Sequence, residues 1–188
     1  MILNRITDAT VEPVTLQEVK QATRIDYGEE DTFTEHLIKA ARQFCEEQTQ
    51  RSFAASETWQ LKLDYWPCGG VIELPRGPVQ SVTSVKYYDI DGNEQTIDSS
   101  NYILDSASYV ARLEPISTYT WPSLDDRLAP ITIEYVAGYT TIPEDIKHAI
   151  YLLVAHWFEH RADASNMKLE SIPFGVQRIL NQVKIYNV

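Results

Sequence analysis

The chain has 188 residues, 44% of them hydrophobic and 23% charged, which supports a packed core and excludes disorder of the chain as a whole. Lysine and arginine number 16 against 27 aspartates and glutamates; the net charge of −11 keeps the protein soluble and excludes an extended phosphate-binding footprint of clustered cations. Cys45 and Cys68, far apart and in unlike contexts, give neither a disulfide framework nor a Cys-rich metal site, and fit a reduced, cytoplasmic setting.

The N-terminal Met1-Ile-Leu-Asn-Arg-Ile6 has no basic region followed by a long apolar run, so neither secretion nor membrane insertion is expected. Thr15-Leu-Gln-Glu18 matches a capping box, with hydroxyl and carboxylate each satisfying an orphan backbone N–H, and Leu16, Val19 and Ala22 follow at helical spacing. After the acidic turn Gly28–Asp31, a second helix is predicted from about Thr32 to Gln48, because Phe33, Leu37, Ile38, Ala41, Phe44 and Cys45 share one face. Cys45 reads there as a small core residue rather than a nucleophile.

From Ser56 the period changes to two. Trp59, Leu61, Leu63 and Tyr65 alternate with Gln60, Lys62 and Asp64, the pattern of a strand with one buried face. Pro67-Cys-Gly-Gly70 ends that strand, Val71–Leu74 forms another, and Pro75-Arg-Gly-Pro78 interrupts before a longer run over Val79–Tyr88. Asp91-Gly92 predicts a two-residue hairpin turn returning into Glu94–Ile97, since both central positions tolerate positive φ. Further strands are expected at Tyr102–Leu104, Tyr109–Leu113 and Ile131–Tyr139, with an aperiodic connection over 115–130 that marks a functional or poorly ordered loop. Tyr87, Tyr88, Tyr102 and Tyr109 suit either a protein interface or ordinary strand positions.

Ile142–Arg161 is the strongest helical signal. Pro143 suits the first turn, Glu144 and Asp145 put negative charge at the positive end of the helix dipole, and Arg161 supplies the opposite sign at the other end. Ile146 to Phe158 is apolar nearly all round apart from a stripe through His148, His156 and His160, so this helix belongs in a core or between partners. A polar linker over Ala162–Ser171 leads to Pro173-Phe-Gly175 and a last short helix carrying Val176, Ile179, Leu180 and Val183 on one face. The fold class is therefore α+β: a small helical bundle of two N-terminal helices, a long central helix and a C-terminal helix, with an inserted antiparallel β subdomain. The divisions fall at 1–55, 56–141 and 142–188.

His156-Trp-Phe-Glu-His160 fits the H-x-x-E-H helix of a class of zinc peptidases, which makes His156, Glu159 and His160 the candidate metal and catalytic residues of a zinc-dependent hydrolase. A working site needs a third protein ligand, for which only Asp163 and Glu170 remain downstream. The alternative, two histidines on the polar edge of a packed helix, is the expected one, with no metal, no cofactor and no catalysis. A nucleophile elbow, a phosphate-cradling glycine loop and a C-x-x-C pair are all missing, and Asp125-Asp126 and Glu29-Glu-Asp31 read as solvated turns.

Leu74-Pro-Arg-Gly-Pro-Val79 with Val82, Val85 and Asp91-Gly92, then Trp121-Pro122, Ala137-Gly-Tyr139, Ile142-Pro143, Ile146-Lys147, Leu153–Glu159 and Ile172-Pro-Phe-Gly-Val176 occur in an order that resembles the head-tail connector (adaptor) proteins of tailed bacteriophages and prophages. Pro13-Val-Thr-Leu16 and the second helix fit the same pattern. The resemblance covers nearly the whole chain and implies a non-enzymatic virion component, made in the host bacterial cytoplasm and placed at the head-tail interface. It implies a ring of about twelve subunits, head-to-tail around an axis, bound beneath the portal, extending the DNA channel and facing a stopper or tail-completion protein. DNA would pass without specific binding, and no membrane is involved. A stopper or tail-completion role for this chain itself is the neighbouring reading. By the same resemblance the segment from Phe174 to Val188 docks on the portal, with Phe174, Ile185, Tyr186 and Val188 as its contact residues.

Overall fold

The computed structural model describes residues 1–9, 11–24, 30–160 and 174–185, which form eight strands and four α-helices. The strands are β1 (Ile2–Thr7), β2 (Glu57–Leu63), β3 (Ile72–Leu74), β4 (Val79–Tyr88), β5 (Glu94–Thr96), β6 (Tyr102–Asp105), β7 (Ala111–Pro115) and β8 (Ile131–Ala137). The helices are α1 (Leu16–Thr23), α2 (Asp31–Thr49), α3 (Glu144–Glu159) and α4 (Phe174–Val183). No helix among the described residues is long and apolar enough to cross a membrane. The chain divides into two compact units, one of residues 1–10 and 55–139, the other of 11–54 and 140–188.

The β unit holds two antiparallel sheets, a five-stranded one in the order β1-β2-β8-β4-β5 and a three-stranded one in the order β3-β7-β6. Period-two patterning sets the register. In β8, Ile131, Ile133, Tyr135 and Ala137 are buried while the residues between them are not, and they lie opposite Leu63, Leu61, Trp59 and Glu57 of β2. With Val85 of β4, and with Ile72, Leu74 and Leu113 of the smaller sheet, they form one core cluster drawn from both sheets. At roughly 1.5–3 kcal/mol for each large apolar side chain fully buried, this cluster supplies most of the unit's driving force.

β1 was not expected. Ile2–Thr7, grouped by the sequence reading with the N-terminal helices, pair antiparallel with β2 from Ile2 opposite Lys62 to Thr7 opposite Thr58. Ile2 and Ile6 stay half exposed, so the strand shows little hydrophobic alternation to betray it. The β4–β5 hairpin is present with a longer connection than a two-residue turn. Tyr88 pairs with Glu94, the Gly92 N–H donates to Asp89 O (2.9 Å), and of Asp91 and Gly92 only the glycine has positive φ (+80°).

The Pro75-Arg-Gly-Pro78 break links β3 of one sheet to β4 of the other. Arg76 sits there at φ +62°, a conformation non-glycine residues adopt at a cost. Its guanidinium lies 5.2 Å from the Trp59 ring centroid, and the buried Tyr135 hydroxyl donates to Pro75 O (2.7 Å). The 116–130 connection is ordered as well: Trp121 stacks on Trp66 (centroids 4.6 Å apart, planes 10° apart) and donates to Gly70 O, while Trp66 donates to Pro122 O.

In the helical unit the capping box of α1 forms as expected: the Glu18 N–H donates to Thr15 Oγ1 (3.2 Å) and the Thr15 N–H to Glu18 Oε2 (2.7 Å). The Thr15 N–H first, and then the Thr15 hydroxyl donating to the same oxygen (2.9 Å), hold the Glu18 carboxyl below its ordinary pKa. Helix α3 touches α1, α2 and α4, and buries Ile146, Ala149, Ile150, Leu153 and Val154 completely. Farther along it Trp157 meets Phe44 edge-on at 6.0 Å and Phe158 lies 6.2 Å from Phe33. Cys45 is a core residue, its thiol pushed up to about 12 chiefly by burial.

Candidate assembly surfaces

The histidine helix resolves first. His156 and His160 are one turn apart on α3, their ring centroids 4.4 Å from each other. The Nδ1 of His160 lies 2.8 Å from the carbonyl oxygen of His156, which engages one of its two ring nitrogens within the helix end. Glu159 is exposed. Among the described residues no group of three or more His, Cys, Asp or Glu side chains is placed to hold a metal ion. Among those residues His156, Glu159 and His160 are joined by no third metal-ligating side chain; Asp163 and Glu170 lie outside the described residues.

The C-terminal docking segment divides. Phe174, at the start of α4, is 83% exposed and presents a complete aromatic face. Val176 and Leu180, on the opposite side of α4, are buried in the helical unit, because the 3.6-residue period turns them inward together. Ile185 is buried too, at 7% exposure: its N–H donates to Thr49 O (2.9 Å), and nearby the Arg51 Nε donates to Val183 O (2.6 Å). Ile185 thus anchors the segment to the end of α2, so its own side chain does not lie on a docking surface. Tyr186 and Val188 lie outside the described residues.

The same unit holds a buried charge cluster. Arg42, fully buried, donates through Nε to Glu12 (2.8 Å) and through a terminal nitrogen to Glu46 (2.9 Å). The other Glu46 oxygen accepts from the Phe53 N–H at 3.0 Å. These charges are hydrogen-bonded as buried charges must be. They tie residue 12, helix α2 and the strand-ward exit of the unit into one network.

In the β unit the exposed large apolar residues are Met1, Ile2, Ile6, Tyr65, Ile90, Ile103, Tyr109 and Leu128. Of the tyrosines weighed in the sequence, Tyr109 is exposed and Tyr102 partly buried, while Tyr87 lies 6.4 Å from the Trp66 ring and Tyr88 carries Arg127 3.9 Å above its face. Ile90 and Leu128 passed unmarked in the sequence. The available signal was local: each is a large apolar residue beside charged ones, Ile90 between Asp89 and Asp91 and Leu128 after Asp125-Asp-Arg127.

Comparison with known proteins accords with this architecture. The family described as "Head completion protein" matches residues 12–182. Among solved structures, a chain in the virion of a native gene transfer agent (GTA) particle shares 24% identity at a TM-score of 0.81, and a chain in the neck of an empty GTA particle computed with C6 symmetry shares 25% at 0.80. A chain in the neck of a native GTA particle computed with C12 symmetry shares 22% at 0.76. In each case the alignment covers 100% of this chain and 97% of the other. No curated protein sequence matches. With the family match spanning nearly its whole length, over both units, the chain belongs to the head completion protein family.

Proposed function

We propose that this head completion protein is a structural subunit of the virion neck, a non-enzymatic connector that forms a ring beneath the portal, extends the DNA channel and joins the head to a stopper or tail-completion protein. The observation that carries the reading is the near end-to-end match to neck chains, 97% of their length, from particles whose necks are computed with C6 and C12 symmetry. Two physical features support it. A closed ring needs two different complementary faces on every subunit, and both the aromatic-rich helical unit and the open-edged sheet have surface to give. A net charge of −11 suits a wall past which DNA slides, because cations would hold it through counterion release.

Portal docking falls to Phe174 and to Tyr186 and Val188, with Ile185 bound to the end of α2. Removing the whole segment from Phe174 onward is a poor test, since it strips Val176 and Leu180 from the core. The better test compares Phe174→Ser, and a chain ending at Ile185, with the intact protein for co-sedimentation with the cognate portal. Both variants are expected to melt normally and to lose most portal binding. Undiminished binding by both would place the docking surface elsewhere.

A further inference from the structure

Exposed apolar side chains are scattered singly on most proteins, but here five gather at one end of the five-stranded sheet. Met1, Ile2, Tyr65, Ile90 and Leu128 are 74%, 51%, 72%, 72% and 93% exposed. They come from four separate segments, and the backbone brings them together. Asp64, next to Tyr65, accepts from the Met1 ammonium at 3.4 Å and from the Ala129 N–H at 3.1 Å, which places Leu128 beside it. Ile2 lies opposite Lys62 in the ladder. Tyr88, two residues before Ile90, donates to Pro130 O (3.0 Å) and accepts from the Asp125 N–H (3.0 Å).

The surroundings are acidic. Asp64, Asp89, Asp91, Asp125 and Asp126 lie on the same loops as the apolar residues, with Arg127 folded back onto Tyr88 and bonded to Asp125 at 2.8 Å. Asp89 is held ionised below its ordinary range, first by the Gln95 side chain and then by the Asn93 N–H. An apolar centre with an anionic rim selects a partner with an apolar centre and a cationic rim. DNA is repelled by such a rim.

We infer that this end of the sheet is the docking surface for a different protein of the head-tail axis, one that inserts an apolar segment flanked by lysine or arginine between Tyr65, Ile90 and Leu128. The inference rests on the connector reading and assigns one of its unassigned faces. The test is made on assembled particles carrying Leu128→p-benzoylphenylalanine, irradiated and analysed by mass spectrometry. The expected adduct joins residue 128 to another virion protein, at an apolar segment bearing Lys or Arg. Particles that contain the chain but give no adduct, or an adduct to DNA or to another copy of it, overturn this inference alone. Absence of the chain from particles overturns the connector reading itself. In parallel, Tyr65→Asp with Leu128→Asp should lower the yield of joined particles roughly tenfold or more, the loss expected of central interface residues. Ile103→Asp, 54% exposed on the smaller sheet, should leave the yield unchanged; an equal loss from both would also contradict the assignment.

Discussion

Arg42 shows how a single side chain organises the helical unit. Its guanidinium is fully buried between Glu12 and Glu46, and Glu46 in turn receives the Phe53 N–H. Removing the cation leaves the Glu46 carboxylate buried without its partner, with the partly exposed Glu12 beside it, so Arg42→Met should cost about 3–5 kcal/mol in urea unfolding. Adding Glu46→Gln to that variant should restore part of the loss, because it removes the charge left buried. A cost below about 1 kcal/mol would mean that the cluster is solvated, as surface pairs are. None of this was legible in the sequence: Glu12 and Arg42 are 30 residues apart, and only packing of the N-terminal segment against α2 makes them neighbours. Ile185 was misread for the same reason. It looked like a free apolar ending until Thr49, distant in sequence, took its N–H.

Helices and strands were legible wherever their burial was periodic. Helix α3 announced itself because one run of residues meets three other helices, and β2 and β8 because each buries one face only. β1 escaped because its partner, not its own pattern, makes it a strand, and because Ile2 and Ile6 point away from the core. The 116–130 connection escaped because what orders it is a tryptophan pair more than 50 residues apart in sequence. Trp121→Ala should therefore act on the β unit: loss of the stack with Trp66 and of the bond to Gly70 O predicts about 2–3 kcal/mol of destabilisation. Chemical denaturation followed by tryptophan fluorescence measures it. An unchanged midpoint would show that the loop contributes nothing to the fold. The Leu-Pro-Arg-Gly-Pro-Val motif, by contrast, was visible from its order of residues and gains a physical reason here. It carries the chain between two sheets, with Arg76 over Trp59 and Pro75 accepting from Tyr135.

The assembled function is the least local property of the chain and depends on surfaces that several segments build together. The resemblance pointed to a connector from the order of motifs along the sequence, and the family match over residues 12–182 places the chain among head completion proteins. What that order could not show is which faces are free. The fold separates Phe174, which is exposed, from Val176, Leu180 and Ile185, which are committed to the helical unit, and it gathers Tyr65, Ile90 and Leu128 from loops far apart in sequence. The central claim is that the protein closes into a ring on the portal. The most direct measurement is electron microscopy of the intact protein mixed with its cognate portal. A ring of head-to-tail subunits co-axial with the portal is the predicted image; portals that stay bare at saturating protein would contradict the account.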